Sequence, residues 1–363
     1  MKVLLILLDF FKWEQARAWT YSAQFSFREG FIANNVDYKL LVAYGNHEGR
    51  SWIDHIREVC KNQKFDQVWM EIVHSKCDED LLEYLKDLAP VRIGFLGESL
   101  TYTAEEVKAI PQLSERREKI LRKLHYMTHA LAGDELDIDF IQQECRIPAK
   151  WWLASIPSRI IKEKIHTPEF SGAMFSGSIY GERKEWLENP ILKNNLILVQ
   201  SPENGTIYPN VFNALNRLSS KILKMPFLRK EVCNNLYVSI LYSIRKRCFH
   251  LWLDGLKSAG IVVQLPHYYK AFPGRIFEGM AIGRPVVTMR IKNRPKVMSL
   301  FEENKEIVFY SGDDASDLGE KIIRLQNDNT LRDKMVKNAR KKMMEDFTVE
   351  QRVLEILEWI KSG

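Results

Sequence analysis

Short apolar segments that alternate with helical patterns constrain the fold of this 363-residue chain most strongly. Residues 2–8 form a continuous apolar run that ends at Asp9, which is typical of a strand buried on both faces of a parallel sheet. Further strand-like segments in the first half are residues 38–44, 66–73, 91–96 and 128–132, and helical patterns occupy residues 15–34, 52–62, 80–88 and 103–126. This alternation predicts an α/β fold with a doubly wound parallel sheet.

The second half repeats the pattern, and the chain is long enough for two domains. A polar segment near residues 158–171 carries few core residues and is the predicted linker. We therefore predict an N-terminal domain over residues 1–165 and a second domain over residues 170–347. A last helix, residues 348–363, is expected to pack back on the N-terminal domain.

Charge and cysteine content narrow the function classes. The net charge of +6 comes from 53 basic and 47 acidic residues, so it permits an anionic ligand without demanding nucleic acid. Five scattered cysteines without a CxxC pair indicate neither a disulfide framework nor a zinc site, and a reducing cytoplasm fits them best. No apolar run approaches the ~20 residues needed to span a bilayer. Peripheral membrane contact is left open.

Residues 272–288 contain a strand–turn–helix–strand unit that suits a phosphate. Gly274 follows a proline and predicts a turn, and residues 275–282 predict a short helix. The N-terminus of such a helix presents free N–H groups and a partial positive charge to the loop. Arg275 and Glu278 lie one turn apart at that end. The alternative is an ordinary βαβ unit in which Glu278 is a solvated helix residue.

Two further loops follow predicted strands, where ligands bind in open α/β sheets. Glu98 comes directly after residues 91–96, either as a site carboxylate or as a turn residue in water. Gly177 and Ser178 form a glycine-serine turn, and Arg183 follows at the start of the next helix. Small residues let N–H groups approach an anion and an arginine can bind it with two bonds, although an ordinary βα turn has the same pattern.

Two other segments carry weaker signals. Asp137 and Asp139 form a DxD pair of the kind that holds a metal in one class of sugar transferases, but they lie at an acidic helix start and we predict no metal site. Residues 218–249 are basic and partly apolar. They predict either a solvated helix face or a surface that contacts acidic lipid or another anionic partner.

The order of motifs in the second half resembles the donor domain of GT-B glycosyltransferases. The resemblance begins with residues 175–178 and Arg183, continues through residues 275–286, and ends with residues 307–348. It is strongest to the CgeB-like, "glycosyl transferases group 1" branch near family 4, and it covers about residues 170–360. The first half is similar in architecture only. This resemblance implies the GT-B fold, in which two Rossmann-like domains face a central cleft.

The resemblance also implies roles for individual residues. Glu278 stands where the family's glutamate binds the ribose hydroxyls of a nucleotide, and Arg183 stands near the family's diphosphate-binding basic residue. Gly274 and Arg275 stand where the loop and helix N-terminus meet the diphosphate or the sugar. Family 4 commonly carries a second glutamate eight residues before the first, and here Lys270 occupies that position. The full set of implied donor-binding residues is Gly177, Ser178, Arg183, His267, Tyr268, Lys270, Gly274, Arg275, Ile276 and Glu278, with His267 and Tyr268 as replacements for the missing carboxylate.

The expected reaction is metal-independent transfer of a sugar from a UDP- or GDP-linked donor, without a further cofactor. Fixed cations and helix N-termini stabilise the charge that develops on the leaving diphosphate. An inverting reaction also needs a general base from the first domain, and the candidates are Glu98, Asp9 and His129. The acceptor is open among saccharide, lipid, protein and modified base. The competing hypotheses are a nucleotide-sugar 2-epimerase on the same architecture and a non-catalytic protein that binds an anion or nucleic acid.

Overall fold

The computed structural model describes residues 1–8, 26–43, 50–73, 77–177, 179, 181–199 and 230–362. Asp9, Ser178 and the first part of the basic segment 218–249 lie outside these residues. Within the described residues, two parallel sheets of six and five strands form two α/β domains. The two doubly wound parallel-sheet domains predicted from the sequence are therefore confirmed.

The first sheet uses the apolar segments of the N-terminal half. Its strands are β1 (Lys2–Leu8), β2 (Asp37–Ala43), β3 (Gln67–Glu71), β4 (Val91–Leu96), β5 (His129–Ala132) and β6 (Ala149–Trp151). They pair in parallel in the order β2-β1-β3-β4-β5-β6. The sixth strand was not predicted because three residues are too few to show a period. The core of β1 is completely buried on both faces, as its unbroken apolar run predicts.

Helices cover both faces of this sheet. They are α1 (Ser26–Ala33), α2 (Arg50–Val59), α3 (Glu79–Leu88), α4 (Ala104–Ala109), α5 (Gln112–Leu124), α6 (Asp137–Cys145) and α7 (Ser158–Ile161). The single helical pattern over residues 103–126 is two helices, because Pro111 interrupts it. Helix α4 starts with a capping box in which Thr103 and Glu106 satisfy each other's backbone N–H groups.

The second sheet repeats this construction. Its strands are β7 (Phe170–Ser176), β8 (Leu196–Val199), β9 (Ala259–Val263), β10 (Val286–Met289) and β11 (Val308–Tyr310), in the order β11-β10-β9-β7-β8. Its helices are α8 (Arg183–Glu188), α9 (Pro190–Asn195), α10 (Lys230–Ser258), α11 (Gly274–Ala281), α12 (Pro295–Met298), α13 (Ala315–Asn327), α14 (Asn329–Asp346) and α15 (Val349–Ser362). Among the described helices, none is long and apolar enough to cross a membrane.

Helix α10 packs against both domains. Its buried side chains recur in steps of four residues: Cys233, Tyr237, Leu241, Arg245, Phe249 and Leu253. Because a helix turns by about 100° per residue, this stripe rotates by about 200° around the helix axis between its first and last members. The two ends of α10 therefore present their buried faces in opposite directions.

The contacts of α10 follow this rotation. Near its start, Glu231 pairs with Lys39 of β2, with 2.6 Å between Oε1 and Nζ, and Asn234 donates a hydrogen bond of 3.2 Å to the Leu40 carbonyl. Near its end, Trp252 donates a hydrogen bond of 2.7 Å to Glu278 of the second domain. The helix thus covers the open edge of β2 and reaches the motif that follows β9.

The C-terminal helix α15 packs against α1 of the first domain. Gly30 of α1 lies so close to Val353 of α15 that a Cβ on Gly30 would be 2.3 Å from Val353 Cγ2. Beside this contact, the Asn34 amide donates a 2.9 Å hydrogen bond to the Glu350 carbonyl. The Glu350 carboxylate accepts hydrogen bonds from the backbone N–H and the hydroxyl of Ser158, at 3.1 and 2.7 Å.

We expect Gly30→Ala to destabilise the protein by about 1–3 kcal/mol, because the added methyl group must displace Val353 or separate α1 from α15. Urea unfolding measures the change in free energy. Gly255→Ala is the matched control, because a Cβ on Gly255, also in a helix, meets no atom within 4 Å. Equal stability of the two variants would contradict close packing of α15 on α1.

Candidate active site

The loop from Gln264 to Pro273, between β9 and α11, lies between the carboxyl edges of the two sheets. The backbone N–H of Lys270 donates a 2.9 Å hydrogen bond to the hydroxyl of Ser99, which follows β4. The Lys270 ammonium pairs with Glu106 of α4. The two sheets therefore face each other across this loop, as in a two-domain cleft.

Two neighbouring tyrosines of the loop contact opposite domains. The Tyr269 hydroxyl fills the space beside Gly133, just after β5, where a Cβ would be 2.0 Å from it. The Tyr268 hydroxyl lies beside Gly181, which has a φ of +56° and precedes α8. Both glycines are required by these close approaches. Burial, followed by the negative charge of Asp134, raises the pKa of Tyr269, so its hydroxyl remains protonated.

Helix α11 begins where the sequence predicts, within one residue. Pro273 is extended and makes no side-chain cap, so the first N–H groups of α11 point into the loop without a capping side chain. Ile276 is fully buried in the core beneath the loop. Glu278 is also fully buried, and its carboxylate accepts the hydrogen bond from Trp252. The helix ends at Ala281, and Gly283, which follows the C-cap Ile282, has a φ of +80° that suits the left-handed position after a helix.

Two arginines converge on the ring of Phe175 at the end of β7. The guanidinium carbons of Arg183 and Arg275 each lie 5.2 Å from the ring centroid. Arg183 is buried and donates a 2.6 Å hydrogen bond to the Pro266 carbonyl, and Arg275 donates to Gln264. A Cβ on Gly177 would be 2.9 Å from Arg275 Nη2. The structure therefore brings Arg275 together with two predicted residues that lie far earlier in the sequence, Gly177 and Arg183.

His267 lies beside these arginines. Neither ring nitrogen has a hydrogen-bond partner among the described residues, and both are inaccessible to water. Burial, together with the positive charge of Arg183, lowers the pKa of His267 to about 3. The backbone of Tyr269 acts on this pKa in the opposite direction. His267 is therefore a neutral imidazole, buried beside two cations.

The first domain contributes a buried contact that no sequence pattern predicted. Arg294, just before α12, binds the carboxylate of Asp134 with Nη2–Oδ2 and Nε–Oδ1 distances of 2.8 and 2.5 Å. Both side chains are buried, and Arg294 also donates to the Thr101 hydroxyl at 3.2 Å. The adjacent Glu135 accepts the Val297 N–H at 2.6 Å. The only sequence signal was the Gly133-Asp134-Glu135 turn after a predicted strand.

Asp137 lies beside the contact between Arg294 and Asp134, and both Asp137 and Arg294 bind the Thr101 hydroxyl. Its carboxylate accepts the N–H groups of Leu100 and Thr101, at 2.8 and 3.1 Å, and the Thr101 hydroxyl at 3.0 Å. Burial, and then the charge of Asp134, raises the pKa of Asp137 to about 7, although the three hydrogen bonds oppose the shift. Within the described ranges, no group of three or more His, Cys, Asp or Glu residues is arranged to hold a metal ion.

A pH dependence of stability follows from the raised pKa of Asp137. The folded protein holds this proton up to about pH 7, whereas the unfolded chain releases it near pH 4. The stability from this group is therefore full below pH 4 and decreases as the pH rises to about 7. Urea unfolding at intervals over this range should show the decrease, and Asp137→Asn should remove its contribution. A slope identical in the variant would contradict the prediction.

The candidates for a general base are not brought together. Glu98 lies at the carboxyl edge of β4, partly exposed, and accepts a 2.6 Å hydrogen bond from Arg116. His129 lies at the amino end of β5, the opposite edge of the sheet. There it contacts the Thr128 hydroxyl at 2.9 Å, and its ring centroid is 5.2 Å from that of Trp359. Asp9 lies outside the described residues, as does Ser178 of the donor-binding set.

Comparison with solved structures shows which fold this is. Sucrose-phosphate synthase from Thermosynechococcus elongatus matches with a TM-score of 0.62 and 12% identity, over 99% of this chain and 98% of that one. HepE from Anabaena, in complex with UDP, matches with a TM-score of 0.52 and 12% identity over both entire chains. A glycosyltransferase from Rickettsia africae matches with a TM-score of 0.53 and 11% identity over 99% of this chain and 98% of that one. The fold is GT-B.

A family model described as glycosyl transferase-like matches residues 253–358 of the GT-B chain. This segment begins in α10 and includes β9, α11 and the C-terminal helices, so it contains Arg275 and Glu278. No curated protein sequence matches the chain. The predicted resemblance to GT-B glycosyltransferases is thereby confirmed, and so is the prediction of a glycosyltransferase. The finer placement in a CgeB-like, family 4-like branch stays a prediction.

Proposed function

We propose that this GT-B protein transfers a sugar from a nucleoside diphosphate sugar, held in the cleft by residues of the second domain. The observation that carries the proposal is the convergence of Arg183, Arg275 and the neutral His267 at the carboxyl edge of the second sheet. Helix α11 directs its uncapped N-terminus to the same loop. The two guanidiniums and the start of α11 supply fixed positive charge to an anionic ligand, beside the neutral ring of His267.

The reaction places negative charge on the leaving diphosphate. Hydrogen bonds hold both guanidiniums in place before a ligand arrives, Arg183 through the Pro266 carbonyl and Arg275 through Gln264. Such preorganised donors stabilise developing charge without reorganisation during the reaction. We therefore propose that the transfer needs no metal ion, with the two guanidiniums and the start of α11 binding the diphosphate.

UDP is our proposal for the nucleotide, because the structural neighbour HepE has been solved in complex with UDP and with UDP-glucose. We propose that Glu278 binds the ribose hydroxyls, which requires Trp252 to share or release the carboxylate. We also propose that Gly177 and Gly274 let the backbone come close to the donor, and that Tyr268, beside Gly181, forms one wall of the donor site. Lys270, paired with Glu106, joins the two domains beside the donor.

Glu98 is the better placed of the two described candidates for a general base. It lies at the edge of the first sheet that faces the second domain, whereas His129 lies at the far edge. We also propose a cytoplasmic location, which the free thiols of Cys60, Cys145 and Cys233 support. We propose that the first domain binds the acceptor, which is a saccharide, a lipid, a protein or a modified base.

A donor screen tests the proposal directly. Thermal-shift and hydrolysis measurements over UDP- and GDP-linked sugars, with and without EDTA, should show stabilisation by one donor class and slow release of its nucleoside diphosphate. Release of a 2-epimerised sugar without acceptor would indicate the epimerase instead. Steep salt-dependent binding to DNA or RNA, with no donor binding, would indicate the nucleic-acid alternative. If no nucleotide sugar stabilises the protein, the proposal is wrong.

We expect Glu278→Gln to raise KM for the donor by about 10- to 100-fold, because hydrogen bonds to a charged group contribute about 1.5–3 kcal/mol. The amide oxygen still accepts from Trp252, so the fold around α11 should persist. Steady-state kinetics at varied donor concentration measure the change. Glu320→Gln, at an exposed position of α13, is the matched control. An unchanged KM in Glu278→Gln would remove Glu278 from the site.

A further inference from the structure

A second cavity lies at the amino edge of the second sheet, on the far side from the candidate active site. Its volume is about 660 Å³. The floor is formed where β7, β9 and β10 begin, at Ser171, Gly260 and Pro285. One wall is the segment 165–168 between the two domains, and the other is the face of α14 between residues 332 and 340. The cavity is thus separate from the loop after β9.

The lining of this cavity is strongly cationic. Four lysine and arginine side chains line it, and Asp333 is the one carboxylate among the lining residues of the described chain. Within the described residues, none of the four cations has a carboxylate oxygen within 4.0 Å of its nitrogens. They are Arg284, Arg332, Lys337 and Arg340. Counted over the lining alone, the cations exceed the carboxylates by three, and the carboxylate of Glu163, outside the lining, acts on Arg340.

Arg284 is the deepest of these cations. It is 3% exposed and donates hydrogen bonds to the carbonyls of Gly283 and His166, at 3.1 and 2.8 Å, and to that of Lys257. Its Nε is buried and has no hydrogen-bond partner among the residues that the structure describes. Burial lowers the pKa of the guanidinium, and no neighbouring charge opposes that shift. A buried cation that only carbonyls compensate is costly, and an anionic ligand would remove that cost.

The other two arginines are fixed in the same way. Arg332 donates to the carbonyls of Leu325 and Gln326 at the end of α13, at 3.0 and 2.9 Å. Arg340 donates to the Glu163 carbonyl at 2.6 Å. The Nη2 of Arg332 also donates to the side-chain oxygen of Asn329. Because each guanidinium has more N–H donors than these bonds use, both are held in place with further donors left for a ligand. Ile165, Pro168 and Val336 add an apolar wall.

We propose that this cavity binds a small phosphate monoester, with the phosphate group between Arg284 and the cations of α14 and the organic part against the apolar wall. Two negative charges on the phosphate offset most of the surplus of three positive charges. Bidentate arginine forks match phosphate geometry. Because the cavity includes the segment 165–168, an occupant also contacts the connection between the two domains.

Isothermal titration calorimetry with glucose 6-phosphate and with inorganic phosphate tests the proposal on the full chain. We expect Lys337→Gln and Arg332→Gln each to weaken glucose 6-phosphate binding by about tenfold. Lys334→Gln, an exposed change on the same helix outside the cavity, should bind as the unaltered protein does. Arg275→Ala, in the candidate active site, should also leave this binding unchanged, so failure of the proposed transferase function is measured separately.

The outcomes separate the alternatives. Two results together support the monoester site. Glucose 6-phosphate binds more tightly than inorganic phosphate, and among the variants only Lys337→Gln and Arg332→Gln weaken that binding. Equal binding of the two ligands would overturn the assignment to a monoester. Binding that is absent, or that Arg275→Ala abolishes while Lys337→Gln does not, would overturn the site. Circular dichroism of each variant checks that the fold is retained.

Discussion

Arg275→Ala should lower kcat for sugar transfer by about 10²–10³-fold, the loss typical when one preorganised donor to a developing anion is removed. The guanidinium is half-buried between aromatic rings, with its carbon 5.2 Å from the Phe175 centroid and 5.6 Å from that of Trp252. Gln264 fixes its orientation. Arg275→Lys should recover little of the rate, because an ammonium group cannot reproduce the planar fork.

The control for this prediction is Arg290→Ala. Arg290 belongs to the same domain and also lies 5.2 Å from an aromatic ring, that of Phe309, but it is exposed and pairs with Glu303 outside the cleft. Its removal should leave kcat within about twofold, since exposed ion pairs contribute little. Steady-state rates at saturating donor measure both variants. A kcat for Arg275→Ala equal to that of Arg290→Ala would exclude Arg275 from the stabilisation of the leaving group.

Asp134→Ala should lower the free energy of unfolding by about 3–5 kcal/mol, because it leaves the Arg294 guanidinium buried without its carboxylate. Arg294 and Asp134 are 5% and 0% exposed, so water cannot replace the lost partner. The double variant Asp134→Leu, Arg294→Met should be more stable than the single variant, because it removes both buried charges. Urea unfolding of the three proteins measures these differences.

A neighbouring ion pair provides the control. Lys292 and Asp313 are 3.0 Å apart between Nζ and Oδ2, with side chains 76% and 65% exposed. Lys292→Ala should therefore change the free energy of unfolding by less than about 1 kcal/mol. A loss for Asp134→Ala as small as that for Lys292→Ala would show that the two domains separate freely in solution and that the contact forms only transiently.

The fold was predictable where the pattern is local. The apolar run of β1 and the strand–glycine–helix unit around Gly274 each contain their own signal, since buried parallel strands and helix termini are defined by neighbouring residues. Only the resemblance to GT-B glycosyltransferases could place Arg183 and Arg275 together. Their common contact, the ring of Phe175, has no signature in the sequence.

Contacts between the domains could not be predicted. Asp134 and Arg294 are 160 residues apart, and nothing in either local sequence indicates the other. The segment 218–249 picked out from the sequence does not reach the end of α10 at Ser258, because the apolar pattern of this helix has no single face over 29 residues. The row of buried side chains in α10 rotates around the helix axis to contact two different domains. The apolar face therefore has no constant direction, and the periodicity that identifies a surface helix averages out over its length.

Helix α10 and helix α15 have a consequence for dissecting this protein into fragments. The polypeptide passes from the first domain to the second after Ser158. It then contacts the first domain twice more, through α10, where Glu231 pairs with Lys39, and through α15, where Val353 packs on Gly30. A fragment that ends at the segment 165–168 would lack both helices, exposing the edge of β2 and the apolar face of α1 at once. Such a fragment should aggregate through that unpaired edge. The two sheets are therefore separate in architecture, but helices from the second half of the chain pack on the first domain. For this reason neither half can be exchanged between GT-B proteins by a single cut.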